Sequence, residues 1–105
     1  MTNKRLKIID TRISKIKAEL VLIEGMRPGS LTKQYSDPVN QTGAHYQISY
    51  THEMRSRTEH VRKEYVKEVR TQIKNYKIFK KLTTEWVSLS IERSKLAIQL
   101  AKEQN

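Results

Sequence analysis

Hydrophobic residues in the first part of the chain recur at the spacing of one helix face. They are separated alternately by three and four positions, which predicts a helix over residues 3–24. The residues of this N-terminal seam are Leu6, Ile9, Ile13, Ile16, Leu20 and Ile23. The seven-residue repeat is the pattern that pairs helices in coiled coils. Three repeats are few, so the partner helix belongs either to the same chain or to a second copy.

The middle of the chain changes from helical spacing to alternation. Residues 25–44 are rich in turn-forming residues and predict a turn and a loop. Residues 45–61 predict a two-stranded antiparallel hairpin, in which Tyr46, Ile48 and Tyr50 share one face. That face is expected to pack on a core, and the alternative is that its aromatic rings stack on unpaired bases.

The last part of the chain predicts a long helix over residues 63–103. Its apolar stripe consists of Val66, Val69, Ile73, Tyr76, Phe79, Leu82, Trp86 and Leu89. The spacing slips within this stripe, so the segment is either one long helix or two helices that meet near residues 79–84. Trp86 and Leu89, together with the N-terminal seam, are expected to form a helix-pairing or oligomer interface. The fold class is therefore mainly α with a small β-hairpin and coiled-coil-like helix pairing, in a single domain of residues 1–105.

Composition limits the class of protein. The chain has 105 residues, of which 36% are hydrophobic and 30% are charged, so it can bury only a modest core. No apolar run approaches the ~20 residues that a membrane span needs. The first residues do not resemble a signal peptide, and there is no cysteine. These features favour a cytoplasmic protein without a membrane partner.

The net charge of +10 is concentrated in one part of the chain. Residues 52–81 contain ten basic and four acidic residues, which is more than half of the excess. Six of the basic residues recur at alternating spacings of four and three and line one face of the predicted helix. This basic row consists of Lys63, Lys67, Arg70, Lys74, Lys77 and Lys81. It predicts contacts with phosphates, and the alternative is a solvated lysine face.

Two further arginines are candidates for contacts with bases. Arg55 and Arg57 lie at the turn of the predicted hairpin. A two-stranded ribbon fits the major groove of DNA, and arginine forms two hydrogen bonds with guanine. We therefore expect these two side chains to reach beyond the phosphates.

The sequence gives little support for catalysis or for metal binding. His45, His52 and His60 fall on the predicted hairpin, but their spacing matches no typical zinc pattern. There is no glycine-rich phosphate loop, no His-Glu-x-x-His motif and no serine elbow. We expect a protein that is not an enzyme and that uses no cofactor and no metal.

Three segments contain short motifs: Gly29–Tyr35, Tyr46–Thr51 and Val69–Trp86, with the Asn75-Tyr76 pair in the last. These motifs resemble those of a family of small prokaryotic proteins that often accompany transposases and other mobile elements. The resemblance covers roughly residues 25–100 and implies a mobile-element or nucleic-acid context. The family pattern includes a cysteine-containing loop, whereas the loop of residues 36–44 has no cysteine here. A metal knuckle implied by the family is therefore absent.

The favoured hypothesis is an accessory protein that binds nucleic acid, with DNA favoured over RNA. It would act as a homodimer or as a subunit of a larger nucleoprotein complex. The alternative is a structural adaptor whose N-terminal seam holds a helix of another protein. Attachment to anionic lipid is less favoured, because the basic helix lacks a wide exposed apolar face.

Overall fold

The computed structural model describes residues 2–104 and contains two helices and a three-stranded antiparallel sheet. In chain order the elements are α1 (Thr2–Leu20), β1 (Ser30–Asp37), β2 (Thr42–His52), β3 (Arg55–Val61), a 3₁₀ turn (Lys63–Tyr65) and α2 (Val66–Glu103). The contacts divide the chain into a helical unit, residues 1–23 and 78–105, and a sheet unit, residues 24–77. No helix within the described residues is long and apolar enough to cross a membrane.

The sheet has three strands, so the prediction of a two-stranded hairpin was wrong in the number of strands. The segment predicted as loop contains β1, which pairs with β2 along the edge opposite β3. The connecting turn is held by Asp37, whose carboxylate accepts hydrogen bonds from the backbone N–H and side-chain amide of Asn40 at 3.2 and 2.8 Å. These hydrogen bonds lower the pKa of Asp37, the side-chain bond more than the backbone bond. A turn-rich sequence thus closes a hairpin here instead of forming an extended loop.

The second hairpin, β2–β3, agrees with the predicted pair of strands. Ile48 lies opposite Glu59, and the two-residue turn consists of Glu53 and Met54. Both turn residues have positive φ, 52° and 64°, as a type I′ turn requires. Neither is glycine or asparagine, so the usual sequence signal of this turn is missing.

One face of the sheet forms a small core with the start of α2. Ile48 is fully buried, and the other buried members of the cluster are Val61, Val66, Val69 and Ile73. Leu31, Tyr46 and Tyr50 pack against this cluster. The prediction that Tyr46, Ile48 and Tyr50 face a core is therefore confirmed, and their rings are not an exposed platform for unpaired bases.

The long helix α2 runs without interruption from Val66 to Glu103. The slip in apolar spacing near residues 79–84 does not divide it into two helices. The Thr83 hydroxyl donates to the carbonyl oxygen of Phe79 at 2.9 Å, a bond that threonine forms within helices. The predicted start at residue 63 lies in the 3₁₀ turn, three residues before the α-helix begins.

The N-terminal seam is used within the chain. Helix α1 ends at Leu20, four residues before the predicted end. Ile9, Ile13 and Ile16 are buried, and Leu6, Leu20, Ile23, Trp86 and Leu89 are half-buried. The seam therefore already contributes to a core within a single copy of the helical unit.

Three pairs between arginine and carboxylate join α1 to the second part of α2. They are Arg5–Glu92 at 2.6 Å, Arg12–Glu85 at 2.6 Å and Arg93–Asp10 at 2.5 Å. Arg5 pairs with Glu92, whereas Arg12, further along α1, pairs with Glu85, which comes earlier in α2. The two helices are therefore antiparallel. The arginine hydrogen bonds lower the pKa of all three carboxyl groups.

Gly29 occupies a site that no larger residue fits. Its φ is +141°, and a Cβ atom added there would lie 2.8 Å from Cγ1 of Ile48. Because the backbone and the core would both be strained, we expect Gly29→Ala to lower the free energy of unfolding by about 1–3 kcal/mol. Urea denaturation followed by circular dichroism measures this loss. Gly25→Ala is the matched control, because the nearest atom to its added Cβ, Nε2 of Gln72, would lie 3.5 Å away. Equal losses of stability in both variants would contradict the prediction.

Candidate nucleic-acid interface

The basic row is exposed along its whole length. All six residues have exposed side chains, and none forms an ion pair within residues 2–104. Lys63 lies in the 3₁₀ turn, Lys67 to Lys77 lie on the part of α2 that belongs to the sheet unit, and Lys81 belongs to the helical unit. The pKa of Glu85 is lowered mainly by the hydrogen bond from Arg12 and to a smaller extent by the charge of Lys81. Lys81 therefore lies near a carboxylate, and the other five residues of the row lie in the sheet unit.

The row lies between two different faces of α2. The core residues Val66, Val69 and Ile73 lie on one side, about 100° around the helix from the row. Glu64 and Glu68 lie on the other side of the row, where they and Lys67 line a shallow groove with the segment that contains Gly25. The basic row thus lies between a buried face and an acidic face.

The segment before β1 is held on the acidic face. The side-chain amide of Asn75 donates to the carbonyl oxygen of Gly25 at 2.9 Å. The backbone N–H of Arg27 donates to the carbonyl oxygen of Gln72 at 3.2 Å. These bonds fix residues 25–27 beside α2 on the side away from the row, so the segment leaves the row uncovered.

Arg27 itself has a structural role. Its guanidinium donates to Glu59 on β3 at 2.8 Å and lies 5.2 Å from the centre of the Tyr50 ring. The hydrogen bond from Arg27 is the largest cause of the lowered pKa of Glu59, and the charge of Arg57 contributes less. Arg27 therefore ties the segment before the sheet to its two later strands.

The arginines of the chain fall into two groups. Four are paired with carboxylates in the ion pairs described above: Arg5, Arg12, Arg27 and Arg93. The four that form no ion pair within residues 2–104 are Arg55, Arg57, Arg62 and Arg70. All four of these side chains are exposed, and they occupy one continuous stretch of sixteen residues, 55–70. Because arginine pairs readily with carboxylates, four exposed arginines without ion pairs in one stretch of the chain are available to an external anion.

Arg55 and Arg57 lie at the start of β3, next to the hairpin turn, as their sequence positions predicted. The register places Arg57 opposite Tyr50, on the sheet face that carries Ile48. Arg62 is exposed immediately after β3, in an extended conformation with φ −64° and ψ 144°. Sequence reasoning missed Arg62, because it belongs neither to the hairpin turn nor to the spacing of the row.

The three histidines do not converge. His45 is half-buried on β2, His60 is exposed on β3, and His52 lies 3.5 Å from the carboxylate of Glu53 at the hairpin turn. Within residues 2–104, no group of three His, Asp or Glu side chains is placed to hold a metal ion.

No family model, curated protein or solved structure matches this chain. The geometry and the charge of the surface are therefore the basis for assigning a function. The resemblance to the mobile-element family depends on the short motifs alone.

Proposed function

We propose that this protein binds nucleic acid through a basic surface on the sheet unit. The surface consists of Arg55, Arg57, Arg62, Lys63, Lys67, Arg70, Lys74 and Lys77. The main support for the proposal is that the arginines fall into a paired and an unpaired group. Every arginine without an ion pair within residues 2–104 lies in the stretch of residues 55–70. The resemblance to proteins that accompany transposases supports an accessory role in a nucleoprotein complex.

A row of this kind suits a phosphate backbone. From Lys67 to Lys77 the helix rises ~15 Å, with a charged side chain at every third or fourth residue. Successive charges are thus about 5 Å apart along the helix, close enough for several to contact one strand at once. Such contacts provide affinity and orientation, and they are independent of base sequence.

The salt dependence of binding tests this proposal. If about five basic groups neutralise duplex phosphates, log affinity should fall with log salt concentration at a slope near −4.5. Fluorescence anisotropy across a salt series, with labelled duplex DNA, single-stranded DNA and duplex RNA, measures the slope. Binding that is absent, or that does not change with salt, would overturn the proposal.

A second candidate function is helix pairing between copies of the chain, and one observation favours it. Val87, Ile91 and Ile98 on α2 are 59%, 53% and 55% exposed and lie on one face at spacings of four and seven. Thr84, Ser94 and Ala101 complete this C-terminal seam, which contains no charged residue. Because each copy carries a net charge of +10, a neutral seam is where two copies approach with least repulsion. This pairing uses a different face from the N-terminal seam.

We expect Ile91→Asp to convert a dimer to a monomer, because it places a charge at the centre of the C-terminal seam. Multi-angle light scattering at several protein concentrations measures the mass. Ile8→Asp on α1, where the side chain is 51% exposed, is the matched control and should leave the mass unchanged. A wild-type protein that is monomeric at all concentrations would exclude this second function.

A further inference from the structure

The face of the sheet that points away from the core has an unusual composition. Strand alternation and register place eleven side chains on it, and all eleven are polar and uncharged when histidine is neutral. They are Ser30, Thr32, Gln34, Ser36, His45, Gln47, Ser49, Thr51, Ser56, Thr58 and His60. Each is exposed or half-buried, and we term this surface the outer face. It presents hydroxyl, amide and imidazole groups and no hydrophobic side chain.

Charge is confined to the margins of the sheet. The central strand β2 contains no Lys, Arg, Asp or Glu. The charged residues of the edge strands are Lys33 and Asp37 on β1 and Arg55, Arg57 and Glu59 on β3, and Arg62 follows β3. The sheet therefore has a neutral, hydrogen-bonding centre, and its net positive charge lies at the β3 edge.

We propose that the outer face lies in the major groove of duplex DNA and contacts the edges of the bases. This inference rests on the proposed function, and it names the ligand and the surface that selects it. Three strands about 4.8 Å apart span about 10 Å between the outer strand axes, and the major groove is ~12 Å wide. A neutral centre then faces the bases, while the exposed arginines at the β3 edge, Arg55, Arg57 and Arg62, lie to one side, where a phosphate backbone would run.

The chemistry of the outer face suits the pattern of donors and acceptors in that groove. The side-chain amide of glutamine pairs with adenine through two hydrogen bonds, and hydroxyl groups bond to either kind of group. Gln47 lies on the central strand, opposite Thr32 on β1 and His60 on β3. It is therefore placed to reach deepest, with Ser49 beside it along the same strand.

Side-chain hydrogen bonds across the strands order part of the outer face. The hydroxyl groups of Ser49 and Thr58 lie 3.1 Å apart, as do those of Thr51 and Ser56. Each pair fixes two side chains before any ligand binds. Ordering in advance reduces the entropy lost on binding, and it favours a specific arrangement of contacts.

The same face argues against other nucleic acids. Single strands bind by stacking on aromatic rings, but Tyr35, Tyr46 and Tyr50 all lie on the core-facing side of the sheet. The ammonium group of Lys33 lies 5.4 and 6.0 Å from the rings of Tyr35 and Tyr46, which places Lys33 on that side too. In duplex RNA the major groove is too narrow and deep for side chains to read. The outer face is therefore suited to duplex DNA.

Selection from a random library tests the inference. The full chain is incubated with 20-base-pair duplexes randomised at the central positions, and bound duplexes are recovered and sequenced over several rounds. We expect one motif to be enriched and to bind at least tenfold more tightly than its scrambled counterpart. Enrichment of no motif would overturn the inference.

A pair of substitutions on the outer face connects that preference to the proposed contacts. Gln47→Ala with Thr58→Val should reduce the preference for the selected duplex about tenfold or more, with affinity for the scrambled duplex within about twofold of wild type. Thr11→Val with Gln104→Ala makes the same chemical changes outside the sheet and should alter neither value. Circular dichroism confirms that each variant is folded.

The outcomes separate this inference from the proposed function. Salt-dependent binding to all duplexes alike, or a preference that the outer-face variant retains, would overturn the inference and leave the proposed function standing. If the wild-type protein does not bind nucleic acid at all, both the inference and the proposed function are overturned. Equal or tighter binding to duplex RNA or single strands would also overturn the role of the outer face.

Discussion

Reversing three charges in the basic row, by Lys67→Glu, Lys74→Glu and Lys77→Glu together, is expected to weaken nucleic-acid binding several hundredfold at 0.1 M salt. Each phosphate contact contributes roughly eightfold in affinity at that salt concentration, since log affinity changes by about 0.9 per contact for each tenfold change in salt. Three lost contacts therefore account for roughly 500-fold, and the new carboxylates add repulsion. The salt slope should fall from near −4.5 to near −1.8, because about two contacts remain. Anisotropy titrations over a salt series measure both quantities.

The matched control changes the net charge by the same amount, but at positions outside the basic row. Lys7→Glu, Lys15→Glu and Lys95→Glu alter three exposed helical lysines of the helical unit. Both triple variants lower the net charge from +10 by six, so any difference between them reports position. We expect the control to bind within a few-fold of wild type, with its slope almost unchanged. Equal loss in the two variants would mean that net charge alone governs binding and that the row is not the site.

The basic row could be predicted from the sequence because it is a local pattern on one helix. A spacing of three and four residues fixes which side chains share a face, whatever the helix packs against. The exposure of Lys67, Arg70, Lys74 and Lys77 follows from the position of Val66, Val69 and Ile73 in the core. Only the first residue, Lys63, departs from the helix, because the chain forms a 3₁₀ turn before α2.

The division of the arginines could not be predicted in this way. Arg5 and Glu92 are 87 positions apart in the chain, and Arg12 and Glu85 are 73 apart. Their pairing depends on how two distant helices align, which no local spacing specifies. Arg62 was missed for the related reason that its importance lies in having no carboxylate partner within residues 2–104.

Strand β1 was missed because its alternation is weak. Only Leu31 and Tyr35 in this strand resemble core residues, and Lys33 occupies the core-facing position between them. An edge strand needs hydrogen bonds to one neighbour only, so its side chains are under little selection for burial. As a result the outer face, which needs all three strands in register, could not be recognised before the structure was known.

The largest effect on stability is expected from Ile48→Ala, which should lower the free energy of unfolding by about 2–5 kcal/mol. Ile48 is fully buried on the central strand, opposite Leu31 on β1 and Glu59 on β3. The sheet unit has a core cluster of only five buried residues, so one cavity at its centre removes a large part of the packing. Since small proteins are stable by about 5–15 kcal/mol, this loss leaves the sheet unit close to unfolding.

Urea denaturation and hydrogen exchange of the β2 amides measure this loss, and Val39→Ala is the control. Val39 lies in the turn between β1 and β2 and is 90% exposed, so its truncation should cost less than about 0.5 kcal/mol. Similar stability of the two variants would show that Ile48 does not fill the core. Ile48→Ala should also weaken nucleic-acid binding as temperature or urea unfolds the sheet unit, although no charge has changed. Under conditions where the β2 amides are protected from exchange, the Ile48→Ala variant should bind nucleic acid as the wild type does. The charge-reversal variant should still bind weakly under the same conditions.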